Sequence, residues 1–146
     1  MDPESRSGKV AVAFAWQRAL LAWMLIMLIE TASGAVREIF VAPALGDLRA
    51  RQLGMFVGCG IIFTVALFTT RWIYARTRRQ QVIVGSIWIT ATLAFEFLLG
   101  RFTGVSWSRI LEDYDPTRGG LMVLGMAFMF LAPILAARLR FKETPP

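Results

Sequence analysis

Four stretches of this chain are apolar for long enough to cross a lipid bilayer, and each is flanked by arginine on both sides. They are 19–36 between Arg18 and Arg37, 53–70 between Arg51 and Arg71, 82–100 between Arg79 and Arg101, and 119–137 between Arg118 and Arg138. A helix rising about 1.5 Å per residue needs roughly 17 to 25 mostly apolar residues to cross about 30 Å of hydrocarbon. Arginine suits the ends of such a helix, because its stem stays with the apolar stretch while the guanidinium reaches the headgroups. A soluble domain of 146 residues would break its apolar positions at helix or strand period. Here the hydrophobic fraction is 56% and gathers in blocks, with a mean hydropathy of +0.56. The expected architecture is a single all-α membrane domain over 1–146, a four-transmembrane-helix bundle built as two hairpins.

What the chain lacks removes whole classes of chemistry. It has no histidine, hence no histidine general base, metal ligand or haem ligand. Its one cysteine, Cys59, rules out an intrachain disulfide and any CxxC motif. No cofactor and no metal site are expected. The net charge of +6 comes almost entirely from arginine, with Lys9 and Lys142 the only lysines. Because these arginines sit at the ends of apolar runs, they are read as setting orientation in a bilayer and not as a nucleic-acid surface.

The links fix the expected orientation. The stretch 71–81 carries Arg71, Arg76, Arg78 and Arg79 with no acid, and the two tails are basic; the links 37–52 and 101–118 are mixed. The positive-inside rule places both termini and the 71–81 link in the cytoplasm. Trp72 and Tyr74 then fall at an inner aromatic belt and Trp107 at an outer one. The first apolar run is too long, and lacks a convincing small-residue cleavage site, for a cleaved signal peptide.

An offset of 66 residues places Glu30 on Glu96, Gly34 on Gly100, Asp47 on Asp113 and Gly54 on Gly120. The expectation drawn from it is a parallel repeat of two hairpins about a pseudo-twofold axis along the membrane normal. Coincidence explains four such matches about as well.

Glu30 and Glu96 are the sharpest signals. Each lies in an apolar span, where a charged side chain costs about 2.5 to 3.5 kcal/mol on insertion scales and is usually turned inward, paired or functional. Gly34 and Gly100 follow on the same helix faces, four residues on. Arg37 and Arg101 are possible charge partners. Two readings stay open: structural ion pairs that lock the bundle, or two carboxylates converging as a proton- or cation-binding site. Gly54-x-x-x-Gly58 reads as a helix-packing face, as do Gly34 and Gly100. In the second outer link, Asp113, Asp115 and Arg118 form a polar cluster. Asp115 before Pro116 favours a turn that its carboxylate caps, with Arg118 pairing to Asp113, Asp115 or a lipid phosphate. Asp113-Tyr114-Asp115 has the form of a DxD element, but no nucleotide-binding domain accompanies it. Ile39 to Gly46 is apolar enough to dip into the interface as a loop draped on the bundle, and Pro133 should kink the fourth span.

At Phe95-Glu96-Phe97, Gly100-Arg101, Ser106-Trp107, Leu111, Asp113-Tyr114-Asp115, Arg118-Gly119 and Ala132-Pro133 the sequence resembles a group of small, uncharacterised bacterial four-helix integral membrane proteins. The resemblance covers mainly the second hairpin. It implies a bacterial inner-membrane protein and brings no catalytic or binding residues with it. Small multidrug transporters also have four helices and a membrane glutamate, but are shorter and lack the long Asp-Tyr-Asp link. Three functional classes follow. The first is an accessory or structural protein assembling with itself or a larger membrane complex. The second is a small transporter or channel using Glu30 and Glu96. The third is a lipid-modifying enzyme using Glu96, Arg101, Asp113, Asp115 and Arg118.

Overall fold

A computed structural model of the chain describes residues 3–104, 106–112 and 114–141. Among them the structure is almost entirely helical, without strands. Four helices are long and apolar enough to span a membrane: Trp16–Leu45, Asp47–Ile73, Arg78–Phe102 and Met122–Arg140. The fold is an all-α membrane bundle. The first three helices outrun their sequence-defined spans at both ends, whereas the fourth starts at Met122, three residues inside the expected 119–137, because Gly119 and Gly120 still belong to the preceding turn.

The largest extension is at the end of the first span. Helix α1 (Pro3–Val36) does not give way to a draped loop. It passes through a π-helical turn, Arg37–Val41, into the short α2 (Ala42–Leu45). The Ala42 amide donates to the Arg37 carbonyl, five residues back, which marks the wider turn. Pro43 is tolerated because it stands in the first turn of α2, where an amide donor is not needed. Gly46 ends the run at φ 83°, a conformation that favours glycine, and α3 (Asp47–Ile73) starts at the next residue.

α3 ends at Tyr74, a non-glycine residue in the left-handed region at φ 60°. α4 (Arg78–Phe102) starts at a full capping box. The Thr77 hydroxyl accepts from the Gln80 amide, and the Gln80 side chain accepts from the Thr77 and Arg76 amides. The short α5 (Trp107–Glu112) is held to α4 by Phe97 and Trp107, ring centroids 5.8 Å apart. A 3₁₀ turn (Pro116–Arg118) and Gly119 at φ 82° lead into α6 (Met122–Phe141), which stays helical through the fully buried Pro133.

The long helices form a ring in the order α1, α3, α6, α4. Helices of one link, α1 with α3 and α4 with α6, are neighbours. So are those related by the 66-residue offset, α1 with α4 and α3 with α6. A twofold axis along the bundle would place α1 diagonally opposite α4, and this ring does not have it; the four sequence matches carry no matching symmetry.

The core is concentrated at the end of the bundle that holds Arg18, the 74–77 link and Arg138, here termed the inner end. Trp88 of α4 is fully buried among Ala19, Ala22 and Ile26 of α1, Ala66 of α3 and Ala132 of α6. Alanines let the backbones approach, and the indole fills the space left. Its N–H donates to the Ala19 carbonyl at 2.8 Å. One turn further along α4, Trp23 donates to the Thr92 hydroxyl at 3.0 Å, and Thr92 meets the Met129 sulfur at 3.3 Å.

Candidate intramembrane polar site

Toward the outer end, two polar residues of the first span reach across to α3. The Glu30 carboxylate lies against Gly58, such that a Cβ there would sit 3.1 Å from both carboxylate oxygens. Two helical turns later, Arg37 lies against Gly54, where a Cβ would sit 2.9 Å from Arg37 Cδ and 3.2 Å from Nη1. Because α1 and α3 run antiparallel, Glu30 falls on the deeper glycine and Arg37 on the outer one. Gly54-x-x-x-Gly58 therefore works as a shelf for two long polar side chains instead of bringing two helix backbones together. Any side chain at either position would displace the α1 group resting there.

The shelf holds the two residues without pairing them. Arg37 Nη2 is 3.7 Å from Glu38 Oε2, its neighbour in sequence. Glu30 Oε1 and Arg37 Nε are both shielded from solvent and have no hydrogen-bond partner among the described residues. The possible Glu30–Arg37 ion pair is not formed among the described residues. Cys59, next to Gly58, is a half-buried free thiol.

Glu96 is half-buried in α4, one turn beyond Thr92. Thr92 meets Trp23 of α1 and Met129 of α6, and Glu96 follows on the same face of α4, while the Glu30 carboxylate rests against Gly58 of α3. No hydrogen bond joins Glu30 to Glu96 among the described residues. Arg101 is exposed at the end of α4 and makes no ion pair among the described residues.

The glycines divide differently from their sequence expectation. Gly100 is buried in α4. Gly34 is not a packing position: a Cβ there would have nothing within 4 Å, because here the long Glu30 and Arg37 side chains, and not the α1 backbone, reach α3. Of the described glycines given a Cβ contact, the tightest is Gly85, where a Cβ would be 2.5 Å from the Phe130 carbonyl oxygen of α6. Sequence reading passed over Gly85, which belongs to no small-residue pair with another glycine four positions away; only the rotation of α4 against α6 singles it out.

In the second outer link, Asp115 caps the 3₁₀ turn as its position before Pro116 implied. Its Oδ1 accepts from the Thr117 amide at 2.9 Å and the Thr117 hydroxyl at 2.6 Å. Those bonds, with the Arg118 guanidinium 3.6 Å from Oδ2, hold the Asp115 carboxyl below the usual carboxylate range. Arg118 also reaches Glu112 at 3.3 Å, a partner the sequence did not single out. Asp113 lies outside the described residues. Gly119 packs under Leu48 of α3, tying this link to the start of the second span.

The inner end shows a different use of arginine. Arg18 Nη1 donates to the Trp72 carbonyl at 2.6 Å and lies over the Trp72 and Tyr74 rings at 5.4 and 5.3 Å. Arg140 Nε donates to the Leu67 carbonyl at 3.1 Å and lies over Phe68. Arg18 thus sits at the C-terminal end of α3, where unpaired carbonyls and the helix dipole favour positive charge, while Arg140 binds nearly two turns earlier on the same helix. Against known proteins, the chain matches no family model, no curated protein and no solved structure.

Proposed function

We propose that the chain is a small multi-pass protein of the bacterial inner membrane, with both termini cytoplasmic, acting as an accessory or structural unit that assembles with itself or with a larger membrane complex. The observation that carries this reading is how little of the bundle is covered. In the most apolar 18-residue window of each span, 17% of residues are buried for the first helix, 28% for the second, 22% for the third and 39% for the fourth. The first span is the least buried of the four and presents Leu21, Met24, Leu25 and Leu28 outward. α3 does the same with Phe56, Val57 and Phe68, around Gly60, above which a Cβ would find open space. Lipid covers such faces as readily as protein does, but small residues flanked by large ones are the pattern along which membrane helices associate. The test is subunit counting after extraction into native-lipid discs. A dimer or larger assembly, or a stoichiometric membrane partner, is expected; a lone monomer overturns the reading.

A second reading, a proton- or cation-coupled transporter, is favoured by one observation: the Glu30 carboxylate is held inside a span with Oε1 unpartnered. The neighbouring Arg37 charge on the same shelf opposes a cation there. Reconstituted vesicles test it directly, since proton or cation flux must appear with the wild type and vanish with Glu30→Gln. The lipid-enzyme reading has less support, because Arg118 is engaged by Glu112 and Asp115.

A further inference from the structure

The two ends of the bundle use the same residue type in opposite ways. At the outer end, three arginines have acids beside them, Arg37 with Glu38, Arg51 with Asp47, and Arg118 with Glu112 and Asp115, while Arg49 and Arg101 are exposed without an ion pair among the described residues. At the inner end, Arg71, Arg76, Arg78 and Arg79 are all exposed, and none has an ion pair among the described residues. No acid occurs anywhere between Asp47 and Glu96, so the sequence around them offers no neutralising group.

Their placement adds to the imbalance. Arg78 and Arg79 are the first two residues of α4, at the end where the helix dipole and its unpaired amides repel cations. The capping box occupies the Gln80 amide of that first turn and satisfies the Arg76 and Thr77 amides just before it. Arg76 is held over the Tyr74 ring at 5.9 Å, and Arg18 covers the same ring. Trp72 and Tyr74, 44% and 57% exposed, lie at this rim, as amphipathic rings do at headgroup level. Four like charges fall within residues 71–79 with no acid among them, which makes this rim attractive to anions. Forked guanidinium groups match phosphate oxygens in pairs, which an ammonium does not.

We infer that the inner rim formed by Arg71, Arg76, Arg78 and Arg79 binds the phosphates of anionic phospholipids in the adjoining leaflet. Charge complementarity selects the occupant, and the aromatic rim puts the arginines at the depth where lipid phosphates lie. The inference rests on the membrane reading proposed above.

Electron spin resonance separates the two. The full chain is reconstituted in phosphatidylcholine bilayers containing spin-labelled phosphatidylglycerol or spin-labelled phosphatidylcholine. If no motionally restricted lipid is seen with either label, the membrane reading itself fails. With a restricted shell present, the wild type should favour phosphatidylglycerol by roughly three- to fivefold. That preference should fall toward unity between about 50 mM and about 1 M salt. The triple variant Arg76→Gln, Arg78→Gln, Arg79→Gln should lose most of it, and Arg49→Gln at the outer end should retain it. Equal association of both lipids with the wild type at low salt would overturn the inference and point to an acidic segment of a partner protein as the occupant. A preference that survives the triple substitution, or that salt leaves unchanged, overturns it as well. The salt series on the wild type decides the matter if the triple variant does not insert.

Discussion

The inner and outer halves of this bundle are built from the same four helices but hold together by different means. In the inner half, alanines on three helices close around Trp88, and each polar group among them has a partner: the Trp88 indole on the Ala19 carbonyl, Trp23 on Thr92, Thr92 on Met129. In the outer half the helices meet through glycines that carry Glu30 and Arg37, and there Glu30 Oε1 and Arg37 Nε go without partners among the described residues. Lipid offers no hydrophobic drive for helix association, so fit and hydrogen bonding decide where a membrane bundle is firm. By both measures the inner half is the scaffold and the outer half the adaptable part.

The largest effect that would break this comparison is at Trp88. Trp88→Ala opens a cavity at the centre of the packed half and leaves the Ala19 carbonyl without its side-chain donor. A loss of about 3 to 5 kcal/mol is expected in reversible unfolding in mixed micelles. A loss as small as that of an outer-half substitution would remove the distinction between halves.

Next in size is Gly85→Leu, which drives a side chain into the Phe130 backbone and forces α4 from α6. A destabilisation of about 1 to 3 kcal/mol or more is expected in the same assay. Gly34→Leu, with open space above it, is the matched control and should leave the unfolding midpoint in place. Between these lies Glu30→Gln, which keeps the shape of the side chain on the Gly58 shelf. With no ion pair to lose, it should change stability by less than about 1 kcal/mol. A severe loss would mean that Glu30 locks α1 to α3.

The smallest expected effect is local and pH-dependent. Asp115 has its carboxyl held below the ordinary range by Thr117 and Arg118, so the turn gains stability from the ionised form. That contribution is complete above the unfolded carboxylate value and is lost as pH falls through the lower folded value. Protection of the Thr117 amide, followed by hydrogen exchange, should therefore persist at neutral pH and decline only on strong acidification. Asp115→Asn should remove the pH dependence; an unaltered profile would assign the turn to its backbone alone.

The sequence made some of this readable and hid the rest for identifiable reasons. The spans were legible because length and purity of apolar runs depend on no tertiary detail. Asp115 was legible because an Asp-Pro step and the residues just after it make a turn locally. Gly54 and Gly58 were legible as a face, but not as a shelf for Glu30 and Arg37, since a missing side chain does not say what fills its place. Gly34 and Gly85 exchanged roles for the same reason: helix rotation decides which glycine meets a neighbour. The Arg37–Val41 π turn was masked by Pro43 and Gly46, which read as loop residues but sit where the helix tolerates one and ends at the other. The ring order, which sets the offset-related pairs α1/α4 and α3/α6 side by side, depends on which faces pack and leaves no trace in an offset between matching residues.

Hydrogen exchange of the chain in lipid discs, resolved by mass spectrometry, tests the two-halves claim most directly, comparing segments at equal depth on opposite sides of the bilayer midplane. Residues 62–73, 84–92 and 129–137 should exchange markedly more slowly than residues 27–36 and 50–58. Equal rates at matched depth, or faster exchange around Trp88 than around Glu30, would contradict it.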